Sequence, residues 1–256
     1  MKLFLSLFLV ISGGIAENQL PTPSLVPFRL GNKWGYADQR QHLILPLQYD
    51  EAGPFADGLA WVRQGQLFGY INTSGNLVMP LHYTQAGNFQ RGRATVRLGS
   101  ETFDIDASGQ RLSTAPTPAP EVDVLSLGHI THQNGKLGYR FTVGDAAVPA
   151  AYDEIRELAS GVLLVRQGQK WGAINGKGKL VLPLVYDTIQ ASSDNEFAFP
   201  IIEQQGHFGY LGADGKLLVK PKYRAASPFQ EGVARVVTEA GQSGYIDAEG
   251  EEYFKD

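Results

Sequence analysis

The sequence predicts an all-β protein built from tandem repeats of about 34 residues, each folding as three antiparallel strands. The prediction depends on glycines that recur in register, on apolar runs that alternate with polar residues, and on prolines at fixed points between them. Three strands occupy the whole of each repeat, so no room is left for a helix. We count about seven copies, the third of which is degenerate.

Glycines recur at fixed positions and show where each repeat begins. It accounts for 30 of the 256 residues, well above the usual share of about 7 %. Most of these glycines fall into four columns, each at one position of the repeat. Because glycine serves turns with positive φ, we expect the excess to mark turns that recur in every copy. The first column contains Gly35, Gly69, Gly138, Gly172, Gly209 and Gly244; the second contains Gly75, Gly109, Gly144, Gly178, Gly215 and Gly250; the third contains Gly58, Gly92, Gly161 and Gly232; and the fourth contains Gly31, Gly65, Gly99, Gly135, Gly168, Gly206 and Gly241.

Each copy contains three strand signals in a fixed order. The first, as in KWGYAD, places Trp34 and Tyr36 on one face and Gly35 on the other, which is the period of a strand. A polar turn leads to a second apolar run that contains a proline, which belongs at a strand end or a sheet edge. The third strand, as in LAWVR, has Ala60 and Val62 on its apolar face.

The two ends of the chain indicate how the strands group into units. Residues 25–32 resemble a third strand without its earlier partners, and the sequence finishes after the first two strands of a seventh copy. Each structural unit is therefore counted as the third strand of one copy followed by the first and second strands of the next copy. Because propeller blades usually have four strands, we favour an open β-solenoid or superhelical array. A closed propeller-like ring is the alternative.

The chain divides into five parts. Residues 1–16 have the charge, apolar run and small residues of a signal peptide, and the run is shorter than the roughly 20 residues of a membrane span. We therefore expect a secreted or periplasmic protein, without a membrane span in its mature form, and a monomer. The other parts are an N-terminal segment with a partial repeat strand (17–32), repeats 1–2 (33–100), degenerate repeat 3 with a proline-rich segment (101–135) and repeats 4–7 (136–254).

Composition and motifs exclude several functions. With 22 basic and 26 acidic residues, the chain lacks the positive charge of a general nucleic-acid binder. It has no cysteine, which excludes disulfides, thiolate metal sites and a cysteine nucleophile. It also lacks the nucleophile elbow, the phosphate loop and the zinc-protease signature. We expect no enzyme activity, catalytic residue, metal or cofactor.

These motifs resemble the WG-repeat family. The resemblance is carried by Lys33-Trp34-Gly35-Tyr36, by Tyr49-Asp50 and by the Phe55 to Ala60 run, each of which recurs along nearly all of 33–254. It implies a repeat protein of bacterial type that acts as an interaction scaffold, with no family catalytic residues. The positions assigned to repeat structure are Trp34, Gly35, Phe68, Gly69, Trp171, Gly172, Phe208 and Gly209.

The outer face of the third strands is the candidate partner surface. Arginines recur there beside one tryptophan, and arginine suits the bidentate capture of carboxylates and stacking. An acidic polymer or a protein is therefore a suitable partner. The candidate residues are Trp61, Arg63, Arg93, Arg97, Arg166 and Arg235.

Three functions remain open. The first is an exported non-enzymatic binding or scaffold module for a protein or polymer. The alternative is a carbohydrate or cell-wall binding protein, in which Trp61 stacks on a sugar ring. A hydrolase is the third, and it would require non-repeating carboxylates in 112–135 or 190–203, where the repeat is broken.

Overall fold

The computed structural model describes residues 23–112, 128–142, 146–158, 160–191 and 199–255. Within these ranges 25 strands form seven small sheets, and there is no helix, so the all-β prediction is confirmed. A helix able to cross a bilayer is accordingly absent from the same ranges. The predicted signal peptide (1–16) and the proline-rich part of repeat 3 (113–127) lie outside the described residues.

The seven sheets follow one another along the chain, and we number them in that order. Sheet 1 contains β1 (Val26–Leu30), β2 (Lys33–Ala37), β3 (Leu43–Tyr49) and, from the far end of the chain, β25 (Phe254–Lys255). Sheet 2 contains β4 (Glu51–Ala52), β5 (Leu59–Gln64), β6 (Leu67–Asn72) and β7 (Leu77–Tyr83). Sheet 3 contains β8 (Gln85–Ala86), β9 (Arg93–Leu98) and β10 (Glu101–Asp106).

The second half repeats this plan. Sheet 4 contains β11 (Gly128–Gln133), β12 (Lys136–Phe141) and β13 (Ala147–Tyr152). Sheet 5 contains β14 (Glu154–Glu157), β15 (Leu163–Gln167), β16 (Lys170–Ile174) and β17 (Leu180–Tyr186). Sheet 6 contains β18 (Thr188–Gln190), β19 (Ile201–Gln204), β20 (His207–Leu211) and β21 (Leu217–Tyr223), and sheet 7 contains β22 (Ala225–Ala226), β23 (Val233–Val237) and β24 (Ser243–Asp247).

The prediction of three strands per repeat was wrong for most of the sheets. A further short strand precedes the third strand in sheets 2, 3, 5, 6 and 7, and β25 adds a fourth strand to sheet 1, so four of the described sheets have four strands. In sheet 2 this strand is only Glu51–Ala52, which pairs antiparallel with Arg63 and Val62. Two residues are too few to give an alternating pattern, so the sequence did not reveal it.

The glycine columns have two different causes. Among the described residues, all sixteen glycines with positive φ belong to the second, third and fourth columns, which are turns as predicted. The first column is different, because it lies within strands. A Cβ on Gly69 would lie 2.6 Å from the carbonyl oxygen of Met79, where the register between β6 and β7 shifts. The expectation of turns was therefore wrong for this column, whose glycines permit close approach of two strands.

The hydrophobic core lies between the sheets. Five buried clusters join sheets 4 and 5, sheets 5 and 6, sheets 6 and 7, sheets 7, 1 and 2, and sheets 2 and 3. In the described part of the chain no such cluster joins sheet 3 to sheet 4. The sequence explains this difference, because Thr102, Phe103 and Asp104 stand in repeat 3 where Phe68, Gly69 and Tyr70 stand in repeat 2.

The two ends of the described chain pair with each other. β25 runs parallel to β1, with Arg29 opposite Phe254 and Leu30 opposite Lys255. The Arg29 side chain is buried, and its Nε donates a 2.7 Å hydrogen bond to the carbonyl oxygen of Ser243 in sheet 7. We call β1, β25 and Arg29 the terminal clasp. The clasp completes sheet 1 and ties it to sheet 7.

Candidate functional site

A lysine and an aspartate brace neighbouring sheets. Lys33 Nζ donates to Asp50 Oδ1 at 2.8 Å, while the backbone N–H of Gly65 donates to Asp50 Oδ2 at 2.7 Å. These hydrogen bonds hold the pKa of Asp50 below its ordinary value, and the one from Lys33 has the largest effect. The same brace recurs around Asp153, with Lys136 and Gly168, and around Asp187, with Lys170 and Gln205.

A tyrosine from the first strand reaches the next sheet. The hydroxyl of Tyr36 donates to the carbonyl oxygen of Gly53 at 2.9 Å, and that of Tyr70 donates to the carbonyl oxygen of Gly87 at 2.8 Å. Tyr210 makes the equivalent bond to Ser227 at 2.8 Å. Burial of the ring raises the pKa of each of these hydroxyls above the ordinary tyrosine value.

Two of the predicted surface arginines are held within the repeat. Arg63 Nε lies 3.0 Å from Glu51 Oε2, and Arg166 Nε lies 3.1 Å from Glu154 Oε2. Each guanidinium also donates from Nη1 to the carbonyl oxygen of the following glycine, Gly65 at 2.5 Å or Gly168 at 2.8 Å. These bonds use two of the five N–H donors of each guanidinium and pair its charge with a carboxylate.

The other three arginines have separate surroundings. Arg93 Nη1 lies 3.7 Å from Asp104 Oδ2 within sheet 3. Arg97 is exposed, because Gln85 stands opposite it where Glu51 stands opposite Arg63, and no ion pair to it is present in the described ranges. Arg235 Nη2 lies 2.5 Å from Glu51 Oε1, which connects sheet 7 to sheet 2.

The eight positions assigned to repeat structure lie inside the sheets. Trp34 and Trp171 are buried, and Trp34 packs edge to face on Tyr245 at a centroid distance of 5.7 Å. Phe68 and Phe208 are half-buried on the margins of the clusters that join sheets 2 and 3 and sheets 6 and 7. In the strands that carry Gly35, Gly69, Gly172 and Gly209, an added Cβ would meet the backbone of the second strand.

Trp61 is the only tryptophan at its position among the repeats that the structure describes, where Thr95, Leu164 and Arg235 stand in its place. A Cβ on Gly53 would overlap the indole, so the ring lies directly against that glycine. Trp61 Nε1 donates to Asn88 Oδ1 at 2.8 Å, and Asn88 Nδ2 donates to Gln230 Oε1 at 2.7 Å. The three side chains come from sheets 2, 3 and 7 respectively, or from the loops beside them. The indole is half-buried and fixed in orientation.

Trp61 and Arg235 line the same cleft, which we call the Trp61 cleft. Its volume is about 270 Å³, and it lies between the loops that follow β4, β8 and β22. The structure thus brings two of the six predicted surface residues together and connects a third, Arg63, through Glu51. The cleft is lined by Pro54, Trp61, Asn88, Pro228, Gln230 and Arg235, together with Gly87, Ser227, Val233 and Tyr245.

Charges around the cleft nearly balance. Glu51 accepts hydrogen bonds from both Arg63 and Arg235. Near the neighbouring turn, burial and then the negative charge of Asp57 raise the pKa of Glu231. Burial also raises the pKa of the Tyr245 hydroxyl, and the nearby guanidinium of Arg235 opposes this shift. The cleft therefore offers neutral hydrogen-bonding groups and one arginine that already has a carboxylate partner.

Aspartate or asparagine side chains at one recurring position stabilise the turn that follows the first strand of the repeat. Asp38 Oδ1 accepts hydrogen bonds from the backbone of Arg40 and His42, at 2.9 and 2.8 Å. The same hydrogen bonds, from the backbone N–H groups of the second and fourth residues that follow, are accepted by Asn72, Asp106, Asn175 and Asp247. In the part of the chain that the structure describes, no group of three or more histidine, aspartate or glutamate residues is placed to hold a metal ion.

Sequence reasoning missed most of the cleft. Asn88 and Gln230 were not identified, nor was Glu51 as the partner of two arginines. One signal was available, because Trp61 and Asn88 both depart from the residues found at the same repeat positions elsewhere, such as Thr95 and Pro54. What the sequence did not reveal is that the loop carrying Gln230 lies beside these two residues.

Comparison with known sequences identifies the repeat. A family model described as "WG containing repeat" matches residues 34–67, 68–101, 143–171, 171–199 and 208–239. These matches cover more than half of the chain and occur in tandem. No curated protein matches the sequence.

Three solved structures resemble this chain at low sequence identity. A protein of unknown function from Bacteroides caccae is 16 % identical, with a TM-score of 0.34 over 88 % of this chain and 90 % of that one. Kluyveromyces lactis Hsv2 is 9 % identical, with a TM-score of 0.33 over 88 % and 89 %. The extracellular domain of a putative hybrid two component system from B. thetaiotaomicron is 9 % identical, with a TM-score of 0.30 over 82 % and 36 %. TM-scores this low do not assign the arrangement of the sheets.

Proposed function

This chain belongs to the WG-repeat family, and from that premise we propose that it is an exported, non-enzymatic binding protein that holds its partner at the Trp61 cleft. The observation that carries the proposal is the setting of Trp61, because Trp61 and its hydrogen-bond partner Asn88 both differ from the residues at the same repeat positions, such as Thr95 and Pro54. The lysine, aspartate and tyrosine of the motif serve packing between sheets. Side chains that depart from the motif are free to serve a ligand instead. Export is supported by the composition of residues 1–16.

A capture experiment tests this function. The mature chain (17–256) is immobilised and exposed to native envelope extract, and the captured material is analysed for proteins by mass spectrometry and for sugars after hydrolysis. We expect Trp61→Ala to lose the captured partner and Arg97→Ala to keep it, because Arg97 is exposed but lies outside the cleft. Equal capture by the wild type and Trp61→Ala would overturn the proposal.

A second candidate is the carbohydrate or cell-wall binding protein. It is favoured by one specific observation, the half-buried indole of Trp61 beside the amides of Asn88 and Gln230. The sugar analysis in the capture experiment separates this function from the binding of a protein.

We also propose that the seven sheets surround a common axis and that the array has a single seam, between sheets 3 and 4. Two observations support this arrangement. The terminal clasp joins sheets 1 and 7, and Asn88 beside sheet 3 bonds Gln230 beside sheet 7. The buried clusters then run without interruption from sheet 4 through sheets 7 and 1 to sheet 3.

Spin-label distances test the arrangement of the sheets. Because the chain has no cysteine, labels attach only where cysteines are introduced. Gln64, Leu98 and Gln133 are exposed ends of equivalent strands in sheets 2, 3 and 4. A ring with a narrow seam gives the Leu98–Gln133 pair about the same mean distance as the Gln64–Leu98 pair. A clearly longer Leu98–Gln133 distance would show that the array is open.

A further inference from the structure

The size of the Trp61 cleft limits what it can hold. Pockets for drug-sized ligands usually measure about 300–1,000 Å³, whereas this cleft measures about 270 Å³. The hydrogen bond between Asn88 and Gln230 joins two of its walls. Such a space suits one compact ring better than an extended peptide or a protein surface.

The aromatic wall of the cleft is fixed in advance. Gly53 lies against the indole of Trp61, and Asn88 accepts the indole N–H. The indole has no other donor, so its remaining exposed surface is apolar. A rigid apolar ring face of this kind packs against the C–H groups of a sugar ring and loses little conformational entropy on binding.

The polar groups of the cleft are planar. Gln230 Oε1 accepts from Asn88, and its Nε2 amide hydrogens make no hydrogen bond within the described residues. The guanidinium of Arg235 is partly exposed, with 39 % of its side chain accessible. Planar amides and guanidinium groups place two donors at the spacing of adjacent hydroxyls on a pyranose ring, which gives such a ring a defined orientation.

The charges favour a neutral ligand. Glu51 already lies 2.5 Å from Arg235 and 3.0 Å from Arg63. Because Glu51 already compensates guanidinium charge here, an anionic ligand at Arg235 would lie close to a carboxylate that repels it, whereas a hydroxyl group can bond the remaining N–H donors without that repulsion.

We propose that the Trp61 cleft binds one neutral pyranose ring of a glycan, through stacking on Trp61 and hydrogen bonds to Gln230 and Arg235. This inference rests on the proposed binding function and names its ligand class. An acidic glycan and a peptide are the competing occupants, and both are outcomes of the test below.

Binding of defined glycans to the mature chain tests the inference. The probes are cellotetraose, maltotetraose and tetra-N-acetylchitotetraose, with tetragalacturonic acid as the acidic comparison, and binding is measured by calorimetry and saturation-transfer NMR. We expect at least one neutral probe to bind and the acidic one to bind more weakly. Trp61→Ala should weaken binding about tenfold, equivalent to about 1.4 kcal/mol, and Trp61→Phe should weaken it less.

A second variant keeps the test independent of folding. Gln230→Glu retains the oxygen that accepts from Asn88 but removes the amide hydrogens, on an exposed side chain that does not belong to the core. We expect it to weaken neutral-glycan binding several-fold with an unchanged melting temperature, while Arg97→Ala leaves binding unchanged.

Three results would overturn the inference: no neutral probe binds, the acidic probe binds more tightly, or neutral binding is equal in wild type and Trp61→Ala. If envelope capture still depends on Trp61 while no neutral glycan binds, the ligand class is wrong and the binding function stands. If capture fails as well, the proposed function is also wrong.

Discussion

The Asp50 carboxylate joins Lys33 of sheet 1 to the β5–β6 turn of sheet 2, with Lys33 Nζ 2.8 Å from Oδ1 and the Gly65 N–H 2.7 Å from Oδ2. One side chain therefore bonds two consecutive sheets. The recurrence of this arrangement at Asp153 and Asp187 explains why lysine and aspartate belong to the repeat motif.

Asp50→Asn should reduce stability in a pH-dependent way. The pKa of Asp50 is lowered in the folded chain, so its contribution to stability is present above the ordinary aspartate pKa of about 3.9 and is lost as pH falls through the lowered value. Urea unfolding should show a deficit of about 1 kcal/mol at pH 7, which shrinks below about pH 4. A deficit that is the same at pH 7 and pH 3 would contradict this account.

Tyr36→Phe should destabilise the protein by about 1–3 kcal/mol, because it leaves the carbonyl oxygen of Gly53 without its donor. Tyr83→Phe is the matched control, since the Tyr83 hydroxyl makes no hydrogen bond within the described residues. Thermal and urea unfolding of both variants measure the difference. Equal losses in the two variants would show that the hydroxyl of Tyr36 has no special role.

Gly69→Ala and Gly65→Ala should lower the free energy of unfolding by different amounts. A methyl group on Gly69 would collide with the backbone of Met79 and Pro80, so we expect a loss of about 3 kcal/mol. Gly65 has open space around it but a φ of 63°, so the cost should be only the left-handed penalty of about 1 kcal/mol. Unfolding free energies test this order, and a larger loss at Gly65 would contradict it.

Removal of residues 254–256 should weaken the terminal clasp, although the bond from Arg29 to Ser243 is retained. The backbone N–H of Gly31 donates to the carbonyl oxygen of Lys255 at 3.1 Å, and this bond would be lost with β25. Hydrogen exchange should become faster in β1 and at Gly31, and the melting temperature should fall. Lys255→Ala, which keeps the main-chain pairing, should leave exchange unchanged. Protection of β1 that survives the truncation would show that β25 is dispensable.

The sequence predicted the repeat better than the contacts between repeats. Glycine spacing and period-two runs revealed three strands of each unit, because these signals are local. The short strand at Glu51–Ala52 has no such signal, and it is defined only by its pairing with Arg63 and Val62. The first glycine column was misread for the same reason, since the need for Gly69 comes from a carbonyl group ten residues away.

The candidate site was only partly predictable. Trp61 and Arg235 were identified by their residue type and strand face, and both line the cleft. Gln230 could not be linked to Asn88, which is 142 residues earlier in the chain, because their contact arises from how the sheets are arranged. The repeat pattern also concealed that Arg63 and Arg166 have carboxylate partners in the preceding short strands.

The terminal clasp affects how the chain can acquire its structure during synthesis. β1 is among the first strands to be made, yet its partner β25 comes after all the intervening sheets. Pairing over so long a sequence separation is slow, because a large loop must close before the contact forms. Sheet 1 therefore stays incomplete until synthesis reaches Lys255, and the nascent chain passes through a stage in which the edge of β1 that pairs with β25 is unpaired.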